Sequence, residues 1–262
     1  MNKPLHPSSF NMERFVIPPL GTVTVVVGSL IAEGEELDTF QRCMSNDELA
    51  RQSRFIPPVV KRRFGVCRGK LRHLLAAMLG IEPAEVQFEY NATGKPRLAS
   101  RHRSSLEFNV SHSGDWGLFG FADAAPLGVD TELFQRKTNF EALASQVLNL
   151  NERTRLALLP AEDRNLAIMH AWVAKEAVLK AIGVGIGFGL HAAEFPMPQP
   201  KICTPLRIDP MLLEKMDDDA NCRMNAWIDA AMWRVHHLDV LSEGHSAVAC
   251  PASIHQVNVE KF

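Results

Sequence analysis

The chain has 262 residues, 46% of them hydrophobic and 22% charged, which suffices for a sizeable core and excludes a disordered or fibrous protein. A formal net charge of −2 removes any general attraction to nucleic acid. Five cysteines, odd in number and without a C-x-x-C pair, predict reduced thiols in a cytoplasmic protein and no zinc or redox site.

In chain order, the valine-rich run from Gly21 to Ala32 comes first. It falls short of the roughly 20 residues a membrane span requires. It also begins too late for a signal peptide, after Glu13, Arg14 and Pro18-Pro19, so a buried strand over 23–30 is predicted. Ser45-Asn46-Asp47-Glu48 has the capping-box form and opens a helix to about 54. Pro57-Pro58 interrupts it, and a longer helix is predicted over 59–79, closed by Gly80. Residues 51–73 carry Arg51, Arg54, Lys61, Arg62, Arg63, Arg68, Lys70 and Arg72 with no acid among them. Such a segment suits either a solvated basic helix face or a site for phosphate or an acidic partner. A strand follows at 86–90. The apolar lead-in Phe108-Asn109-Val110 reads as a strand emptying into the polar loop Ser111-His112-Ser113-Gly114; strands at 116–122 and 127–132 complete a predicted meander. Helices are expected at 140–148, 152–159 and 162–182. The remainder reads as strands, with runs at 226–228, 232–236 and 247–250, and one short helix at 209–216. The order strand, helices, strands occurs twice, which predicts an α+β fold of two similar halves, 1–125 and 126–262, tightly joined at the turn Asp123-Ala124-Ala125-Pro126.

Two stretches carry chemistry. On a strand, Gly128-Val129-Asp130-Thr131-Glu132 sends Asp130 and Glu132 off one face, half of a divalent-metal site, with Thr131 pointing away. On a helix, Trp172-Val173-Ala174-Lys175-Glu176-Ala177-Val178-Leu179-Lys180 puts Glu176 and Lys180 one turn apart, a third ligand beside a phosphate-binding cation. Alone, such a pair is usually an exposed one worth about 0.2–0.5 kcal/mol. The conjunction with Ser111-His112-Ser113 favours a site.

Taken together, Gly94-Lys95-Pro96, Phe108 to Ser113, Gly128 to Glu132 and Trp172-x-x-Lys175-Glu176-Ala177-x-x-Lys180 resemble, in order and spacing over about residues 45–190, the 4'-phosphopantetheinyl transferases of the longer, surfactin-synthetase-activating type. The last motif is the most specific. The chain departs from the family at Thr131, usually aliphatic, in the long glycine-rich stretch 183–189, and at Glu48, where relatives often have lysine. The resemblance implies two α/β halves related by a pseudo-twofold axis, with coenzyme A bound between them. It implies transfer of the 4'-phosphopantetheine arm to a serine of an acyl or peptidyl carrier protein, releasing adenosine 3',5'-bisphosphate, by a monomer. By position, Asp130, Glu132 and Glu176 would hold Mg²⁺ or Mn²⁺, and Lys175 and Lys180 the diphosphate. Ser111 and His112 would contact coenzyme A phosphates, Lys95 would lie near the nucleotide, and Arg63 with Arg51 would bind the 3'-phosphate. Glu176, directly or through water, is the candidate acceptor of the serine proton, with a metal-held water or hydroxide as the competing acceptor. Residues 133–150, with Arg136 and Lys137 beside Phe134, are a candidate carrier-docking element. Two other readings remain: a metal-dependent nucleotide or coenzyme A hydrolase, and a nucleic-acid-binding module on 51–73. The second gives the carboxylates no role and lacks interleaved stacking aromatics.

Overall fold

A computed structural model of the chain describes residues 12–134, 138–184, 189–209 and 229–262. The first strand, β1 (Thr22–Ser29), is an almost continuous apolar run because both its faces are covered. Val26 packs into the core beneath the N-terminal helices, whereas Val23, Val25 and Val27 enter a second core shared with the other half. Then come α1 (Gly34–Arg42), α2 (Asn46–Ser53), α3 (Pro58–Leu79), the hairpin β2 (Phe88–Tyr90) and β3 (Pro96–Leu98), and the long strands β4 (Leu106–Ser113) and β5 (Trp116–Asp123). The second half runs β6 (Gly128–Leu133), α4 (Phe140–Val147), α5 (Leu150–Ala157) and α6 (Ala161–Ile182). It continues through the short β7 (Ala193–Glu194), β8 (Ile202–Cys203) and β9 (Arg207–Ile208) to β10 (Trp233–Leu238) and β11 (Gly244–Pro251). The final strand, β12 (Gln256–Lys261), pairs in parallel with β1.

Two four-stranded sheets result, in the orders β12-β1-β5-β4 and β6-β11-β10-β8. In each half the first strand pairs with the last, which pairs with the one before it: β1-β5-β4 is repeated as β6-β11-β10. Three helices follow the first strand in each half, and the third has 22 residues in both. The α+β class and the doubled layout thus follow the reading of the sequence. The boundary between 125 and 126 falls in the turn joining β5 to β6, and β12 crosses back over it to the N-terminal sheet.

The predicted meander is corrected. β5 does not pair with β6, which is an edge strand of the other sheet. What holds β6 beside β4 is a row of β4 side chains at period two. Asn109 accepts from Val129 N at 2.9 Å, Ser111 donates to Asp130, and Ser113 accepts from Leu133 N at 3.2 Å while donating to Glu132. Short polar side chains satisfy edge groups that a backbone ladder would otherwise take. They also keep Ser111-His112-Ser113 in strand instead of loop. Helix α1 and strand β12 went unpredicted. The expected strand at 226–228, positions 210–216 of the expected short helix, Arg136, Lys137 and positions 185–188 of the glycine-rich stretch lie outside the described residues. Cys43, Cys67, Cys203 and Cys250 are buried and unbridged. No described helix is long and apolar enough to cross a membrane.

Gly128 fixes the distance between β6 and α6. A Cβ there would lie 2.0 Å from Ala177 O and 2.4 Å from Ala181 N, both backbone atoms that cannot swing aside. Gly128→Ala should therefore push the strand off the helix and destabilise the protein by about 1–3 kcal/mol, the usual range for overpacking. A urea midpoint within error of wild type would contradict this placement.

Candidate functional site

The close β6–α6 contact places the two motif stretches against each other. Gly128, Asp130 and Glu132 alternate along β6 toward α6, and Thr131, on the opposite face, is buried with its hydroxyl 2.8 Å from Ser246 Oγ. Asp130 Oδ1 accepts from Ser111 Oγ at 2.8 Å and from Lys180 Nζ at 2.5 Å, and Lys180 also reaches Ser111 Oγ at 3.0 Å. One turn back on α6, Glu176 Oε1 lies 3.4 Å from the indole Nε1 of Trp172. Burial, then the neighbouring Asp130 charge, push Glu132 up to about 7, against the Ser113 hydrogen bond and Lys180. Burial followed by Asp130 likewise raises Glu176. Three carboxylates thus share one wall, and the charge of Asp130 disfavours ionisation of the two glutamates.

A hard divalent cation would relieve that repulsion, and its donor set is all oxygen, as Mg²⁺ or Mn²⁺ prefers. Asp130 Oδ2 is buried without a hydrogen-bond partner among the described residues, an atom in need of a positive neighbour. The trio is nevertheless not drawn into a closed ligand set: among the described residues no three His, Cys, Asp or Glu side chains converge as a metal-holding group. Lys180, at the shared oxygen of Asp130, supplies the positive charge there.

The remaining candidates divide. Lys175 is corrected: it is 0% exposed, points away from Asp130, and bonds Glu152 Oε2 at 2.6 Å and Val147 O at 2.8 Å. An i, i+5 spacing between Lys175 and Lys180 puts them on different sides of the helix, so both cannot grip one diphosphate. Lys95 is corrected too. Its ammonium lies on Ala181 O at 3.0 Å and Leu127 O at 3.4 Å, where burial lowers it to about 8. With Asn91 donating to Gly183 O, it straps the β2–β3 turn to the end of α6 instead of facing a nucleotide. Ser111 is buried and orients Asp130, so it is not open to a phosphate. His112, its exposed neighbour on the other face of β4, is lowered by loss of water and then by the nearby charge of Lys180, with Arg63 adding to it. Arg63 is pinned to Asp115 at 2.7 Å.

Arg51 belongs elsewhere. With Arg54, Arg68 and Tyr90 it lines a cavity of about 500 Å³ beside α2, and Arg63 is not part of that lining. In the sequence Arg54 and Arg68 stand out only as members of the acid-free basic run, and nothing local there signals the tyrosine. Arg68 donates to Tyr90 Oη at 3.0 Å and faces Glu48 at 3.2 Å. Glu48, where a lysine is more usual, is accounted for: it completes the α2 capping box and pairs with Arg72 at 2.7 Å.

Carboxylates and a lysine thus meet at the contact between the halves, the charge pattern that chemistry on a phosphate compound calls for. Comparisons with known proteins agree. The family model described as 4'-phosphopantetheinyl transferase superfamily matches residues 126–212, and that described as 4'-phosphopantetheinyl transferase, N-terminal, matches residues 32–120. The chain is 40% identical over 152 residues to "Putative 4'-phosphopantetheinyl transferase slr0495" of Synechocystis sp., covering 58% of this chain and 62% of that one. It is 39% identical over 152 residues to "4'-phosphopantetheinyl transferase HetI" of Nostoc sp., covering 58% and 64%. It is 32% identical over 158 residues to "4'-phosphopantetheinyl transferase psf-1" of Bacillus pumilus, covering 60% and 66%. The chain thus spans a little under two thirds of the length of these relatives. It belongs to the 4'-phosphopantetheinyl transferase family, as the sequence motifs implied.

The raised pKa of Glu132 makes metal-free stability depend on pH. Folding favours its protonated form, so its contribution is full below its ordinary value of 4.5 and is lost as pH rises through about 7. Without divalent ions, Glu132→Gln should gain stability relative to wild type between pH 5 and pH 8, as read by urea unfolding. A gap that is the same at both values would refute the assignment.

Proposed function

We propose that this chain transfers the 4'-phosphopantetheine arm of coenzyme A to a serine of an acyl or peptidyl carrier protein, releasing adenosine 3',5'-bisphosphate. The observation that carries this reading is the bonded cluster of Lys180, Asp130 and Ser111, with Glu132 and Glu176 on the same wall, in a chain of this family.

In the proposed reaction the carrier serine Oγ attacks the phosphorus that bears the pantetheine. The bond from that phosphorus to the bridging oxygen breaks, and the bisphosphate leaves with the electron pair. Lys180, partly open at the edge of the cluster, is placed to meet the negative charge that grows on the phosphate oxygens. Asp130, held by Ser111, keeps that ammonium in position. Glu176, one turn from Lys180 on the same helix, is the proposed acceptor of the serine proton at an Oε atom, directly or through a water. Asp130, Glu132 and Glu176 would hold a divalent cation, Mg²⁺ or Mn²⁺, which would supply charge neutralisation at the phosphates. Arg63 extends the cationic side of the cluster, with His112 beside it as a neutral ring able to hydrogen-bond a phosphate oxygen. The cavity of Arg51, Arg54 and Arg68, with Tyr90 at its wall, takes the 3'-phosphate end of the nucleotide.

Protein supplied with Mg²⁺, coenzyme A and an apo carrier should add about 340 Da to the carrier, the mass of the covalent arm. Asp130→Ala and Glu176→Ala should each lower transfer at least about 100-fold, the scale of losing one electrostatic group at such a site. No mass shift with any of several carriers would sink the proposal, and steady loss of coenzyme A without a carrier would indicate hydrolysis instead. Arg51→Ala/Arg54→Ala should raise KM for coenzyme A about tenfold while leaving KM for 3'-dephospho-coenzyme A nearly unchanged, the loss of about 1.4 kcal/mol of binding. Equal losses for both would move the 3'-phosphate elsewhere.

A further inference from the structure

We infer that Lys175 and Glu152 are positioning residues: a buried strut that holds the α4–α5 corner on helix α6 and thereby sets the place of Glu176. The inference rests on the proposed transferase reading and deepens it. Both side chains are 0% exposed, 2.6 Å apart. Several of their contacts tie one element to another. Lys175 Nζ donates to Val147 O at the end of α4. Glu152 completes the α5 capping box with Asn149, and its other oxygen accepts Phe195 N at 2.9 Å. Arg155 and Glu194, 2.7 Å apart, lie on the same joint.

The corner reaches Glu176 by packing. Ala144, Val147 and Leu148 of the α4 region share a core cluster with Ala167, Ile168 and Ala171 of α6, and Trp172 packs against it. The Trp172 indole is the group that faces Glu176 Oε1. Lys175 is also the residue before Glu176 on the same helix.

The N-terminal half contains the same device away from the carboxylates. There the capping-box glutamate of the second helix, Glu48, pairs at 2.7 Å with Arg72 of the third, which also donates to Pro83 O and Val86 O. Arg72 and Lys175 each lie fourteen residues after the first residue of their 22-residue helices, Pro58 and Ala161. The doubled layout thus carries a doubled strut. In one copy it borders the cavity lined by Arg51, Arg54 and Arg68; in the other it lies one residue from a proposed metal ligand.

The test is Lys175→Met/Glu152→Gln, which removes both charges together so that neither is left buried alone. Mn²⁺ binding is read by electron paramagnetic resonance in the presence of coenzyme A, with a protein-free blank; coenzyme A binding is read by calorimetry without metal. The double variant should fold cooperatively, bind coenzyme A within twofold of wild type, and lose Mn²⁺ affinity at least tenfold. A tenfold loss of coenzyme A affinity with Mn²⁺ binding intact would make Lys175 a diphosphate ligand and overturn the inference; so would a folded variant with wild-type Mn²⁺ affinity. If the double variant does not fold, Trp172→Phe, which removes the indole N–H donor and part of the ring packed on the cluster, should show the loss of Mn²⁺ affinity, and wild-type affinity there overturns the relay. Failure of the underlying reading is seen separately, as wild-type protein that modifies no carrier.

Discussion

The structure depends on how two sheet edges meet. β4 and β6 are each terminal strands of their sheets, and they lie side by side without a backbone ladder. Asn109, Ser111 and Ser113 bridge them with side-chain hydrogen bonds at every second residue. A ladder would have made one continuous sheet and left Asp130 an ordinary strand residue. The side-chain seam instead leaves room for Asp130 to take Ser111 on one side and Lys180 on the other. The polar groups that join the halves are therefore the same groups that shape the candidate site.

Burying so much charge requires compensation, and the molecule supplies it in two ways. Where a charge has a structural task it is paired with an opposite charge, as with Glu152 and Lys175 or Glu48 and Arg72; breaking such a pair on one side typically costs about 3–5 kcal/mol. Where it has a proposed chemical task the compensation is incomplete. Asp130 Oδ2 has no hydrogen-bond partner among the described residues, and Glu132 and Glu176 titrate upward. Charged groups left short of partners are the usual mark of a site where a ligand completes the set.

Much of the fold was legible because it is written in local chemistry. The Ser45 to Glu48 capping box, the Gly80 stop of α3 and the alternation of Asp130 and Glu132 all depend on neighbours within one turn or two residues, and each is found as read. The pairing of β6 was not legible, because partner choice among strands depends on residues over a hundred positions away: β6 pairs with β11, not β5. The surroundings of two lysines of the site reading were not legible for the same reason. Lys175 and Lys180 share a motif but not a helix face, and Lys95 lies in a family-like turn but spends its charge on carbonyls at the end of α6.

By itself the sequence determined the residue types for chemistry on a diphosphate, their order, and two α+β halves, since composition, periodicity and motif spacing are properties of the chain alone. Only the tertiary structure decided which of these side chains share a space. Gly128 lets α6 approach β6, and that approach brings Glu176 and Lys180 to Asp130 while turning Lys175 into the interior. A helix carries side chains in every direction, and the burial of one face is settled by what packs against it.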